Sequence, residues 1–392
     1  MMKGRNMKRN ILAAAFSLVA SFVFASEELD IYTFMYRESV NAVERYSVLR
    51  NIADAEIPGA GALYAEALGR LLLEQPNLRS GAEKETADAT AKLLAGLLGD
   101  IKYAGAADDL WRVVQNFENP LVKADALIAL GKTRSAQHLP LVQRTLADLN
   151  IRPTSDREAG EKIAFGAIIA LEKYRDISGY APVFFAASGW YGRRVKDQAM
   201  ATLPFIVDDP SEALSGIIRS SGYDMKLLAL EKESESKASA EAKAAVALIA
   251  LEEGWKAATN DIKDKVILSR LRKFSIDMLA KNGSSDPAAT PLLEKSYKDG
   301  SDAEEKIAAV NALSKNRSDE AAKALSSFLM MMNGKRRSEA ITVEDERMVR
   351  VIIPAIGAHG SPIGLPALQA VEHQDWTNAV KLLATDALKR LR

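Results

Sequence analysis

The chain has 392 residues, with 52 lysines and arginines against 52 aspartates and glutamates, so no global field draws it to nucleic acid or to an acidic surface. It contains no cysteine, which excludes disulfides, thiolate nucleophiles, thiolate metal sites and a lipid-modified N-terminal cysteine. Hydrophobic residues make up 48% of it and aromatics only 6%. That leaves alanine and leucine to fill a large core, as close-packed helices require.

The first segment reads as an export signal. Lys3, Arg5, Lys8 and Arg9 form a basic head, Ile11 to Phe24 an apolar run, and Val23-Phe24-Ala25 a small-residue cleavage site. The run is about 14 residues long, short of the roughly 20 needed to span a bilayer. Cleavage after Ala25 is therefore expected, with the polar Ser26-Glu27-Glu28 opening the mature chain. The signal resembles bacterial ones and implies a periplasmic or secreted protein with no integral membrane segment. Residues 26–60 are helical in character but poorly periodic, and are read as an N-terminal cap.

Repeats follow, in an N-terminal half over 61–230 and a C-terminal half over 244–392. One phrase, V-K/R-x-x-A-x-x-A-L, recurs with variations. Its clearest copies start at Val122-Lys123, Val195-Lys196 and Val380-Lys381. Shorter or degenerate copies stand at 167–171, 247–251, 275–279, 309–313 and 352–356. From Ala126 to Ala384 the seven intervals average about 37 residues, and a fixed period of this size means stacked supersecondary units. Apolar positions within each phrase fall on one helical face, and the alanines let a neighbouring helix approach. Pro140, Pro182, Pro291 and Pro366 mark the start of a second helix after each of four copies. Ser135, Asp209 and Asp286 are expected N-caps, and Gly131 and Gly357 suit left-handed C-terminal positions. Nothing alternates with period two, so strands are not expected. The charged run 231–243 separates the halves, as either a solvated helix or a hinge. A second excess, Asn333 to Thr342, reads as an inserted loop.

This pattern resembles the HEAT-repeat family, whose first helices carry V-R-x-x-A-x-x-A-L-G. The match covers roughly 120–392. The resemblance implies an all-α, right-handed α-solenoid of stacked antiparallel helix pairs. It further implies that the basic residue, here Lys123, Lys196, Arg272, Lys306 and Lys381, bridges neighbouring repeats. The basic position is lost at Ala164, Ala244 and Val349. A tetratricopeptide array, hinted at by Tyr64, Ala67, Leu68 and Pro76, is the nearest rival, but later copies lack its aromatic positions.

Familiar catalytic patterns fail on inspection. Gly131-Lys132-Thr133 lacks the upstream glycine and the strand of a phosphate-binding loop. Ser234 and Lys237 sit in the most charged segment, where nothing desolvates the lysine. His138, His359 and His373 form no ligand pair, and Asp299 to Glu305 has the wrong spacing for calcium and reads as a helix cap. No metal or cofactor is expected.

Two clusters remain as candidate partner-binding surfaces. Trp190, Tyr191, Arg193 and Arg194 occupy the turn into a phrase, and Trp, Tyr and Arg are the residues that dominate interface energetics. Lys335, Arg336 and Arg337 follow Met330-Met331-Met332, and methionines suit an adaptable apolar surface. The expected function is a non-catalytic, exported scaffold that binds a protein or peptide partner during cell-envelope assembly. Two other functions stay open: an enzyme with an unrecognised site in the solenoid groove, and a cell-wall glycan binder. The second requires Trp190, Trp255 and Trp376 on one face. The partner's identity, the binding face and the oligomeric state are not legible.

Overall fold

The computed structural model describes residues 27–283 and 285–391. The expected leader, 1–25, lies outside the described residues. Within them the chain is all helical, without a strand. It divides after Val207 into two compact units.

The first unit contains residues 27–38 (α1), Ala42–Asp54 (α2), Gly61–Glu74 (α3), Gly81–Asp100 (α4), Ala107–Asn116 (α5), Pro120–Thr133 (α6), Leu139–Ile151 (α7), Arg157–Tyr174 (α8), Tyr180–Ser188 (α9) and Arg193–Ile206 (α10). Their boundaries follow local chemistry. Ser80 and Glu83 close a capping box on α4, while Asn119 caps α6 directly before Pro120. Helices α6 and α8 end on Arg134 and Arg175 in the left-handed region. Two layers result: α2, α4, α6, α8 and α10 stack in sequence, and α3, α5, α7 and α9 form the other layer. Across the layers, each phrase helix packs chiefly against the helix that precedes it rather than the one that follows, α5 on α6, α7 on α8 and α9 on α10. The packing pair is thus shifted by one helix from the sequence reading.

The expected left-handed role of Gly131 is corrected. It lies inside α6, where a Cβ would come within 2.5 Å of the Ala170 Cα on α8. Gly166 meets Ala124 reciprocally at 2.6 Å. Gly357 is likewise internal to its helix, and its absent side chain makes room for Ala387. These glycines let phrase helices touch backbone to backbone. Ala126, Leu127 and Leu130 are sealed beneath that contact, each leucine contributing about 1.5–3 kcal/mol through burial.

The second unit contains Ser211–Ser220 (α11), Tyr223–Glu235 (α12), Ala240–Lys256 (α13), Ile262–Asn282 (α14), Ala289–Asp299 (α15), Ala303–Lys315 (α16), Asp319–Arg337 (α17), Val343–His359 (α18), Leu365–Glu372 (α19) and Asn378–Leu391 (α20). Here α12, α14, α16, α18 and α20 form one layer and α11, α13, α15, α17 and α19 the other. The 247–251 copy sits on α13 and so belongs to the opposite layer from the other copies of this unit. Its place is taken by Met225-Lys226-Leu227-Leu228-Ala229 on α12, close in wording to Val380-Lys381-Leu382-Leu383-Ala384. The apparent loss of the basic residue at Ala244 follows from that misplacement. Lys226 fills the role, 2.6 Å from Glu253 of α13.

The run 231–243 is neither a continuous helix nor the place where the chain divides. It is the end of α12, a turn at 236–239 and the start of α13, which Ser239 caps. Lys243 ties the turn by donating to the carbonyls of Ser234 (3.2 Å) and Ser236 (2.7 Å). Asp209 and Asp286 accept from the amides of Ser211 (3.0 Å) and Ala288 (2.8 Å) but are corrected as N-caps, since Pro210 and Ala288 occupy those positions on α11 and α15. Ser135 instead pairs its hydroxyl with His138. Arg272 and Lys306 reach Glu305 of α16 and Glu344 of α18, bridging successive phrase helices. Lys123, Lys196 and Lys381 make no such ion pair among the described residues.

Candidate functional site

The turn between α9 and α10 carries the first predicted cluster, and the structure splits it. Tyr191 is only 2% exposed. Its hydroxyl donates to the Asn150 side-chain oxygen (2.9 Å) at the end of α7, and burial pushes its pKa far up. Trp190 donates its indole N–H to the carbonyl of Leu149 (2.7 Å) and lies 4.3 Å from the Tyr191 ring, centroid to centroid. Arg157 sits over the Trp190 ring and bonds its carbonyl. The backbone N–H of Gly192 donates to Glu161 (2.8 Å). Tyr191 is therefore corrected from a partner contact to a packing residue, because its polar end is spent on α7. Trp190 fastens the same seam.

The two arginines face outward. Arg193 has a side chain 93% exposed, paired with Asp197 within its own helix. Arg194 is exposed and stacks its guanidinium 4.8 Å from the Phe165 ring centroid. It belongs to a groove of about 240 Å³ across the N-terminal turns of α6, α8 and α10. Leu121, Phe165 and Val195 form its apolar floor, while Glu158, Glu161, Lys162 and Arg194 make a rim of both signs. Leu121, Lys162 and Arg194 each immediately precede the first apolar position of their phrase copy. Reading that register across three copies would have located the groove. Composition alone pointed to Arg194 and missed Leu121 and Phe165.

The second cluster is not in a loop. Lys335, Arg336 and Arg337 form the last turn of α17, where cations complement the carbonyl end of the helix. Lys335 pairs with Asp345 of α18 (2.7 Å), and Arg336 donates to the Asp375 carbonyl (2.6 Å) beside the Trp376 ring. Both are spent on internal contacts. Arg337, Met330 and Met331 remain exposed.

The tryptophans do not supply a stacking face. Trp376 is 3% exposed and donates to the Asn333 side chain (2.8 Å). Trp255 donates to the Ser296 hydroxyl (3.0 Å), with Arg272 and Lys295 over its ring. Ser234 bonds the Glu231 carbonyl and Lys237 pairs with Asp208, so that pair is not assembled. His138 is buried against Asp108 and Ser135. His359 is buried at the end of the phrase helix α18, and neither ring nitrogen has a partner among the described residues. Among the described residues no group of three or more His, Asp or Glu could hold a metal ion, and no helix is long and apolar enough to cross a membrane. Asp302 caps α16 through the Glu305 amide, as its sequence position suggested.

No protein-family model and no curated protein matches the sequence. Among solved structures the chain is similar to human deoxyhypusine hydroxylase in complex with glycerol, at 16% identity over 95% of this chain and 98% of that one, with a TM-score of 0.26. At that score the likeness assigns no activity.

Proposed function

We propose that this protein is an exported, HEAT-like, non-catalytic scaffold that holds a protein or peptide partner in the bacterial cell envelope, with the groove across α6, α8 and α10 as its contact surface. The observation that carries the reading is the groove itself. An apolar floor at Leu121, Phe165 and Val195 accepts a side chain of the partner. The Glu158, Glu161, Lys162 and Arg194 rim then selects what flanks it. Export rests on the basic head and apolar run of residues 1–25.

Crosslinking and pull-down from envelope extracts test both halves of the proposal. Leu121→Asp, and Arg193→Glu combined with Arg194→Glu, should abolish capture while leaving helicity and melting nearly intact. Exposed arginines contribute no more than about 1 kcal/mol to stability, and Leu121 stands 43% exposed. Unchanged capture by both variants would remove the groove from the reading. N-terminal sequencing of the native protein should begin at Ser26, and an uncleaved cytoplasmic product would remove the envelope.

A further inference from the structure

A second concavity lies nearer the start of the first unit than this groove in sequence, lined by residues of the expected cap, 26–60, and of the first expected repeats. A cavity of about 300 Å³ opens among α1, α2, α3 and α4. Two guanidinium groups converge in it. Arg45 of α2 reaches Glu74 of α3 at 2.7 Å, and Arg70 reaches the other oxygen of the same carboxylate at 3.0 Å. Among the described residues neither arginine has a second acidic partner. The side chain of Arg45 is only 12% exposed and lines the cavity.

The other nearby acids leave the remaining guanidinium donors unbonded. Glu66 is held by Arg37 in a two-bonded fork. Glu83 lines the cavity, but its side chain accepts the amides of Arg79 (3.0 Å) and Ser80 (2.9 Å) at the start of α4. Glu74 is the one carboxylate bonded to either arginine among the described residues, each through a single N–H, so both guanidinium groups keep N–H donors for a further carboxylate. A guanidinium offers five donors in a planar fork matched to a carboxylate. Leu49, Leu71 and Leu78 supply an apolar wall, and Asn77 and Thr90 add polar atoms to the rest of the lining. Tyr36 lines the cavity while 2% exposed. Burial raises its pKa above the usual phenol value, so at neutral pH it is a neutral hydroxyl that can donate to an anion.

We propose that this cavity binds a small organic monocarboxylate with a short apolar tail, its carboxylate held by Arg45 and Arg70 and its tail by Leu49, Leu71 and Leu78. A dianionic phosphate fits worse, because Glu74 and Glu83 both oppose its second charge. A cation is refused by the arginines. The site is separate from the partner groove, and its occupancy does not depend on a partner.

Calorimetric titration of the full chain with hexanoate, hexyl phosphate and hexylamine tests this. Hexanoate should saturate a single site at millimolar concentration, and the other two should bind weakly or not at all. Arg70→Gln should weaken hexanoate about tenfold or more through the lost charge-assisted bonds. Arg50→Gln, an exposed change on the same α2 helix, should leave binding unchanged. Leu78→Asp, at a half-exposed position where refolding is not at stake, should also abolish it. The proposal is overturned by absence of saturable hexanoate binding. It is equally overturned if hexyl phosphate or hexylamine binds as tightly, or if Arg70→Gln and Leu78→Asp retain wild-type affinity with wild-type melting.

Discussion

Two buried carboxylates in the second unit show how partners decide the state of an acid. Glu305 is fully buried yet receives two bonds from Arg272 (2.6 and 3.0 Å) and two more from the backbone and hydroxyl of Ser301 (3.0 and 2.9 Å). Glu233 on α12 is equally buried but has no cation bonded to it. One oxygen meets the Ser211 hydroxyl at 2.7 Å, and the other has no partner. The same hydroxyl is 2.5 Å from Asp209, so its single proton serves two carboxylates. Burial raises the Glu233 pKa; the Ser211 bond and Lys243 pull it down, and Asp209 pushes it further up. The unfolded chain therefore releases this proton first as pH rises. Stability from this group is fully present below the ordinary carboxylate pKa and is lost as pH climbs from there through the raised folded value. Glu233→Gln cannot titrate, so its urea midpoint should fall less than the wild type's across that window. Parallel midpoint-against-pH curves for the two proteins would mean that Glu233 ionises normally in the fold.

At the scale of elements, the close approach of phrase helices makes a sharp prediction about glycine. In Gly131→Ala the new Cβ would stand 2.5 Å from the Ala170 Cα, and backbone cannot yield as a flexible side chain can. Helices α6 and α8 must separate, at a cost of about 1–3 kcal/mol from overpacking. Gly96→Ala, inside α4, meets nothing within 4 Å and should stabilise by about 1 kcal/mol through helix propensity. Chemical denaturation should therefore move the two variants in opposite directions, and a shift of the same sign would place the helix contact elsewhere. The same glycine shows what sequence can and cannot carry. Periodicity and the alanine–leucine phrase located the helices, because these are local consequences of burial on one face. A glycine directly after that phrase looks like a helix end, since nothing local reveals a neighbouring backbone. Layer membership is equally nonlocal: α12 and α13 both carry alanine–leucine wording, and only their packing assigns Met225 to Ala229 to the phrase layer. For the candidate site, Arg194 was legible from its exposed, turn-proximal position. Tyr191 was misread because its partner, Asn150, is 41 residues earlier.

At the scale of the whole molecule, the four tryptophans divide evenly, Trp111 and Trp190 before Val207 and Trp255 and Trp376 after it. Three of them fasten helices within their own unit, at Leu149, Ser296 and Asn333. Fluorotryptophan labelling therefore gives each unit two reporters of its own unfolding. In a helical stack each repeat contacts only its neighbours, so a local lesion weakens as it is passed along. Gly131→Ala, in the first unit, should lower the urea midpoint reported by Trp111 and Trp190 more than that reported by Trp255 and Trp376. Glu305→Ala should do the reverse, because it strands Arg272 without its carboxylate and breaking a buried pair costs about 3–5 kcal/mol. Should all four resonances shift by one amount in both variants, the chain unfolds as a single cooperative body. Division after Val207 would then describe geometry alone, and the groove across α6, α8 and α10 and the Arg45–Arg70 cavity would share the stability of every other helix. Opposite partitioning in the two variants would instead place groove and cavity together in the first cooperative unit, whose stability could be tuned without disturbing the Arg272–Glu305 pair.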